Sequence, residues 1–472
     1  MNAKPPAPGL SPAGERRPTT APQGDVSTPQ SLSAGLPPAA SFDALGLPSE
    51  LVKKMTGLGV TEPFPIQAAT LPNALAGHDV LGRARTGSGK TLAFGLALLA
   101  RTAGRRAESK RPLALVLVPT RELAQQVSDA LEPYAQTLNV RLATVVGGLS
   151  INRQQALLRT GVEVLIATPG RLTDLVSRRD CILNHVRITV LDEADQMCDL
   201  GFLPQVSDLL DQVPADGQRL LFSATLDHNV DQLVQTYLHD PVIASVDRVA
   251  GSVTTMEHHV LNIHGADKYA TATEIAARDG RVLMFLDTKA GVDQFTRHLR
   301  ASGIRASALH SGKSQPQRMH TLAQFKNGEI NVLVATNVAA RGIHIEALDL
   351  VVNVDPPADA KDYLHRGGRT ARAGESGSVV TLVTPNQRRD VNRLMSEAGI
   401  RPVVTQVRSG EAALSAITGA KRPPTETKTS TGNAPFRGLG TRPGRAAKES
   451  RKTSDARKAA EARAAARVRR GR

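Results

Sequence analysis

Short apolar runs rich in Val, Ile and Leu recur along the middle of the chain, each ending in small, hydroxyl-bearing or charged residues. Residues 80–82, 113–118, 141–146, 164–167, 188–191 and 219–222 form one series, and 281–286, 306–310, 331–335, 350–354 and 379–383 a second. Strands buried on both faces of a parallel sheet carry such continuous apolar runs, because neither side chain set meets water. An amphipathic stretch at 49–55 and an apolar one at 92–100 lie between them and predict helices. Strand alternating with helix predicts an α/β fold: two tandem doubly wound parallel-sheet domains, spanning residues 41–246 and 258–404. The pattern breaks between 246 and 257, where Gly251 sits among polar residues, and the inter-domain linker is expected there. Residues 1–40 are rich in Pro, Ala, Ser and Gly without periodicity, and residues 405–472 are polar and basic; both predict disorder.

A chain of 472 residues fits two domains plus tails. Aromatic residues make up only 3% of it and Trp is absent, so the cores must rest on aliphatic side chains. The net charge is +15, and its placement matters more than its size. Residues 408–472 hold 17 Lys/Arg against 5 Asp/Glu, leaving +12 of the excess in the tail. A tail of that kind favours a polyanion and binds it mainly through charge, with residues 454–470 able to turn helical on it. Cys181 and Cys198 form neither a disulfide framework nor a zinc site. No segment is apolar enough to span a bilayer and the N-terminal segment lacks a signal core, so a soluble cytoplasmic protein with no membrane partner is expected.

Candidate chemistry gathers at the run ends. The run at 188–191 stops in Asp192, Glu193, Ala194 and Asp195, which places an acid cluster at the mouth of a sheet. Upstream, Ala84-Arg85-Thr86-Gly87-Ser88-Gly89-Lys90-Thr91 joins a strand to an apolar helix. Glycines there let backbone N–H groups approach phosphate oxygens, and the helix N-terminus favours an anion. Lys90 can reach terminal phosphates and Thr91 can ligate Mg²⁺. Prolines 63 and 65 force an extended approach that presents Gln67, whose carboxamide offers the donor and acceptor needed for an adenine edge. Three further run ends carry Pro119-Thr120-Arg121, Gly147-Gly148 and Thr168-Pro169-Gly170-Arg171. Small residues, hydroxyls and arginines suit a sugar–phosphate backbone rather than base edges. Ser223 and Thr225 are placed to hydrogen-bond Asp195. In the second series no phosphate loop occurs; Arg366, Arg369 and Arg372, spaced by three, predict one helical face able to act as arginine fingers.

Taken in order, these residues closely resemble the DEAD-box ATP-dependent RNA helicases, over residues 42–383. Phe42, 25 positions before Gln67, resembles the aromatic of the adenine-reading Q motif, and residues 192–195 spell the name-giving tetrapeptide. The resemblance implies two RecA-like domains and RNA-stimulated ATP hydrolysis coupled to local unwinding of short RNA duplexes. It implies ATP bound by Phe42, Gln67, Arg85, Thr86, Gly87, Ser88, Gly89, Lys90, Thr91 and His344, with Mg²⁺ at Thr91 and Asp192. Lys90 would hold the β- and γ-phosphates, Glu193 would activate water, and Arg369 and Arg372 would complete the site. RNA contacts are implied for Pro119, Thr120, Arg121, Gly147, Gly148, Thr168, Pro169, Gly170, Arg171, Gln315, Arg318 and Thr336, and coupling for Asp195, Ser223, Thr225 and Asn337. A monomer acting on RNA without sequence preference is expected, with ribosomal precursors or RNA-decay proteins as partners.

Two positions depart from the family pattern, which has Asp where this chain has Asn337 and His344. The first Asp pairs with motif arginines and the second accepts from the ATP ribose. Losing charge assistance costs about 1–2 kcal/mol per site. An RNA clamp with little turnover is therefore a competing reading, and a DNA translocase on the same fold a third.

Overall fold

The computed structural model describes residues 39–84, 87–245, 256–340, 348–370 and 377–424. Two seven-stranded sheets organise them, and every strand pair is parallel. The first sheet comprises β1 (Val80–Arg83), β2 (Ala114–Leu117), β3 (Leu142–Val145), β4 (Val164–Ala167), β5 (Ile188–Asp192), β6 (Gln218–Ser223) and β7 (Val242–Ser245). Their order is β3-β4-β2-β5-β6-β1-β7. The second comprises β8 (Met256–Asn262), β9 (Val282–Phe285), β10 (Ala306–Leu309), β11 (Val332–Ala335), β12 (Leu350–Asn353), β13 (Gly377–Val383) and β14 (Val403–Gln406). Their order is β10-β11-β9-β12-β13-β8-β14.

Helices cover both faces of each sheet, and each lobe has one core on either side of its strands. In the first lobe Val116, Ile166, Val190 and Leu220 point to one core, while Leu115, Leu165, Leu191 and Leu221 point to the other. The period-2 alternation of a strand explains the split: neighbours along β5 face opposite layers, and both layers are dry. The same division repeats in the second lobe, with Val334 and Val352 on one face and Leu333 and Val351 on the other. The consequence for function lies at the strand ends. β5, β6 and β1 are adjacent, in register Asp192↔Phe222 and Ser223↔Arg83. Acid cluster, hydroxyl turn and glycine loop therefore leave the sheet side by side.

The second lobe runs further than the run pattern implied at both ends. β8 begins at Met256, inside the stretch expected to be linker. β14 and a helix at Ala412–Thr418 lie at or beyond residue 404, where the domain was expected to end. Val407, Leu414 and Ala420 are buried in its core, so residues 405–420 belong to the folded lobe and not to the tail. β14 escapes the sequence pattern because it is a sheet edge: Val403 and Val404 are both exposed, and no buried face imposes alternation.

At the opposite end of the first sheet from the nucleotide loop, Glu163 has a fully buried side chain. It accepts from Arg141 Nη2 at 2.6 Å, Arg141 Nε at 3.0 Å, and the backbone N–H of Arg141 and Ala107 at 2.9 and 3.1 Å. Burial alone would push this carboxyl up; the Arg141 bonds and the Ala107 amide overcome it and hold the pKa down at about 2. A carboxylate depressed on folding contributes stability above its unfolded pKa and loses it as pH falls through the folded value. Glu163→Gln should therefore cost about 2 kcal/mol at neutral pH, after discounting for the half-exposed Arg141. Denaturant titrations should show that gap closing between about pH 4.5 and pH 2; a gap unchanged at acid pH would refute the assignment.

Candidate nucleotide site and inter-lobe cleft

β1 delivers the chain into the glycine loop, whose start is fixed by an Ala84 N–H to Ser223 carbonyl bond of 3.1 Å. Gly87 and Gly89 take φ of 89° and 87°, the left-handed region that other residues enter at a cost of about 1–2 kcal/mol. At Gly89 space is a second reason: a Cβ there would stand 2.6 Å from Gln67 Nε2 and 3.0 Å from the Phe64 ring. The loop opens the helix Lys90–Thr102. Lys90 is buried, and its Nζ has no hydrogen-bond partner. An ammonium stripped of water and left without an acceptor is costly unless an anion arrives to meet it. Arg85 and Thr86 lie outside the described residues.

Gln67 stands where the prolines were expected to present it, but both ends of its carboxamide are engaged. Oε1 accepts the Phe64 N–H at 2.9 Å, and Nε2 donates to the Gly89 carbonyl at 3.0 Å. It thus ties the helix Pro65–Ala76 to the phosphate loop, and reading a base requires it to exchange partners. Phe42 is 3% exposed and packs in the core with Leu47 and Leu51. The ring that stays open beside Gln67 and Gly89 is Phe64, 50% exposed. Sequence reasoning passed over Phe64; an aromatic wedged between Pro63 and Pro65 was the available signal.

Asp192, Glu193 and Asp195 are all buried. Burial pushes the Asp192 carboxyl up to about 6, with Glu193 and Asp195 adding to the rise and Lys90 opposing it. Such a group calls for a further cation. Among the described residues no cluster of three or more His, Cys, Asp or Glu could hold a metal alone. Glu193 sits at φ 51°, ψ 51°, a left-handed backbone at a non-glycine position. Its N–H donates to Asp192 Oδ1 at 3.0 Å, and the helix Ala194–Asp199 starts immediately after it. The third carboxylate faces β6: Asp195 Oδ2 accepts from Thr225 N–H at 3.0 Å and from its hydroxyl at 2.9 Å. Ser223 Oγ donates to the Thr225 carbonyl at 2.7 Å and accepts a longer bond from the Asp195 N–H, 3.4 Å.

On the neighbouring strand ends, Thr120 caps the helix Arg121–Thr137, accepting from the Leu123 N–H at 3.2 Å. Arg121 lies over Gly147 and Gly148; a Cβ on Gly148 would come within 2.1 Å of its guanidinium. Thr168 and Pro169 begin the helix Pro169–Ser177, and Gly170 faces open space. Arg171 donates to the Leu149 carbonyl at 3.1 Å. Desolvation lowers the Arg121 pKa; Glu122 opposes the fall, while the cations Arg318 and Arg171 deepen it. Arg121 thus feels cations of both lobes, Arg171 from its own and Arg318 from the other.

Gln315 and Arg318, expected at RNA, bond a first-lobe carboxylate in this structure. Glu122 Oε1 accepts from Arg318 Nε at 2.8 Å and from Gln315 Nε2 at 3.0 Å, while Arg121 donates to Gln315 Oε1 at 3.4 Å. Glu122 was missed because nothing local marks it as a partner for residues in another domain. Thr336 follows β11 and is buried, and Asn337 comes next. The helix Ala360–Gly367 stops at Gly368, so Arg366 lies in its last turn and Arg369 beyond it; they do not share a helical face. Arg366 donates to Asn353 Oδ1 at 3.1 Å and the Asp355 carbonyl at 2.8 Å, and stacks over Phe285. Asn337 Oδ1 receives a 3.4 Å contact from Arg366, and Asp287 lies 3.8 Å from the same guanidinium. Arg369 is buried, with Nε donating to the His365 carbonyl at 3.3 Å. His344 and Arg372 lie outside the described residues.

No helix among the described residues is long and apolar enough to cross a membrane. The DEAD/DEAH box helicase family matches residues 64–233, and the helicase conserved C-terminal domain matches residues 267–374. The DEAD-box ATP-dependent RNA helicase CshA of Bacillus licheniformis is 39% identical over 350 residues, covering 74% of this chain and 71% of that protein. A probable ATP-dependent RNA helicase of Dictyostelium discoideum, ddx17, is 39% identical over 368 residues; the match takes in 76% of this chain but only 46% of that longer protein. S. cerevisiae Dbp5 bound to RNA and ADP BeF3 has a similar fold, with a TM-score of 0.70 at 29% identity over 78% of this chain and 96% of that one. Two parallel-sheet lobes with acid cluster, glycine loop and hydroxyl turn on adjacent strand ends agree with these likenesses, and the chain belongs to the DEAD-box ATP-dependent RNA helicases.

Proposed function

We propose that the protein hydrolyses ATP in response to RNA and uses the cycle to open short RNA duplexes. The observation that carries this is the buried Lys90 ammonium without an acceptor, set beneath a glycine loop and near the buried carboxylate Asp192. Triphosphate oxygens satisfy Lys90, and the backbone of Gly87, Ser88 and Gly89 with the helix N-terminus receives the remaining anionic charge. Thr91 and Asp192 would hold Mg²⁺, which supplies a counter-charge for the phosphates. Glu193 orients a water and takes its proton as the oxygen attacks the terminal phosphorus, the bond from that phosphorus to the β–γ bridging oxygen breaks, and ADP leaves with that oxygen's electron pair. Arg369 and Arg372 stabilise charge on the transferring group from the second lobe. Gln67 reads the base after releasing Gly89. RNA lies along Arg121, Gly147, Gly148, Thr168, Gly170, Arg171 and Thr336, through its backbone. The Dbp5 likeness, in which that protein holds RNA and a nucleotide together, supports this arrangement.

Phosphate release measured with no nucleic acid, single-stranded RNA and single-stranded DNA tests the reading. RNA should stimulate turnover by at least tenfold and DNA should not. Absence of stimulation favours the clamp reading, and equal stimulation by DNA favours a translocase. The same assay without residues 425–472 tests the basic tail. Half-maximal stimulation should then need more RNA, with a flatter dependence on salt. An unchanged salt slope would exclude a role for the tail in RNA affinity. The deletion starts at 425 because the helix Ala412–Thr418 belongs to the folded lobe.

A further inference from the structure

Lys361 occupies the first turn of the helix Ala360–Gly367, where the helix dipole disfavours a cation. Asp199 is the last residue of the helix Ala194–Asp199, where the dipole disfavours an anion. Neither charge suits its own helix, yet they meet: Lys361 Nζ is 2.8 Å from Asp199 Oδ1 and 2.8 Å from Asp227 Oδ2. Both carboxylates belong to the first lobe and the lysine to the second. Asp227 does double duty, since its Oδ1 caps the helix His228–Tyr237 by accepting the Val230 N–H at 3.1 Å.

The elements so joined matter more than the bond count. Asp199 closes the short helix that begins after Glu193. Asp227 follows the Ser223–Thr225 turn by two residues. Lys361 lies one and a half turns before Arg366, on the helix leading to Arg369. We infer that Lys361 is a positioning residue, an electrostatic latch that registers the arginine-bearing segment of the second lobe against the acid cluster and the hydroxyl turn. It is separate from the Glu122 clasp, which uses other strand ends. When the lobes part, Asp199 and Asp227 lose their shared counter-ion and repel each other, so the latch favours the closed arrangement. The three side chains are 28%, 23% and 34% exposed, so salt weakens the latch without abolishing it.

This inference rests on the proposed ATPase cycle, and its test is built to fail separately from it. Lys361→Met keeps the aliphatic stem, Lys361→Arg keeps the charge, and Asp199→Asn with Asp227→Asn removes the partners. The readouts are RNA-stimulated turnover against RNA concentration, and lobe closure followed by energy transfer between dyes on the two lobes. Lys361→Met should raise the RNA needed for half-maximal stimulation by about fivefold to tenfold at low salt, with turnover at saturating RNA nearly unchanged. The gap should shrink with added salt, Lys361→Arg should restore most of it, and combining Lys361→Met with the double Asn variant should add nothing further. An unchanged RNA requirement and unchanged closure in Lys361→Met would overturn the latch, as would additive effects of the two sides. If wild type shows no RNA-stimulated turnover, the ATPase reading falls, while closure induced by a non-hydrolysable ATP analogue still reports on Lys361.

Discussion

Glu193→Gln should lower RNA-stimulated ATP hydrolysis by about a hundredfold or more while leaving ATP and RNA binding intact. The side chain is buried, and the backbone that aims it is held at φ 51°, ψ 51°. Glutamine has the same shape and keeps a hydrogen-bonding oxygen, but it cannot take a proton from water near neutral pH. The lost function is therefore the general base, a contribution of about 10²- to 10⁴-fold in rate. Asp192, the proposed ligand of the cation, is untouched, so nucleotide affinity should change by less than about threefold. Single-turnover phosphate release alongside fluorescent-nucleotide binding separates the two effects. Turnover within a few-fold of wild type would show that another group activates the water.

Glu122→Ala should be nearly as damaging, at a different step. Glu122 and Arg318 are 4% and 11% exposed in their side chains, and Gln315 shares the same carboxylate oxygen. Removing one partner of a buried ion pair leaves an uncompensated charge, at a cost of about 3–5 kcal/mol. With the lobes apart both groups are hydrated, so the cost falls on closure and not on the fold of either lobe. RNA affinity in the presence of an ATP analogue should drop by about a hundredfold or more, while RNA-free nucleotide binding by the first lobe stays near normal. The sign discriminates between two roles for Arg318. If Arg318 served chiefly as a phosphate ligand, deleting the competing carboxylate would strengthen RNA binding. Exchanging the charges, Glu122→Arg with Arg318→Glu, should recover part of the loss only if the clasp is real.

Glu122 and Lys361 give the cleft two separate points of charge contact between the lobes. On the proposed reading, the mutual proximity of Arg121, Arg171 and Arg318 would let an anionic RNA backbone favour closure. Glu122 offsets part of that cationic charge, and an anionic backbone would offset more.

Much of this protein is legible in its order of residues. Val190-Leu191 followed by Asp192, Glu193 and Asp195, and Gly87 to Thr91 opening an apolar helix, carry their meaning within a dozen positions. Strand burial, backbone handedness and helix-end charge are local properties, so the composition of a short stretch determines them. What the tertiary structure decided is which charge meets which. Arg318 bonds Glu122 across 196 positions, and Lys361 reaches Asp199 and Asp227 across 162 and 134. It also turned Gln67 onto the phosphate loop, buried Phe42 while leaving Phe64 open, and added an edge strand without an apolar stripe. Nothing along the chain specifies these outcomes, because a side chain's partner depends on how whole lobes pack and face each other, and that is settled by the sum of two cores rather than by any neighbouring residue.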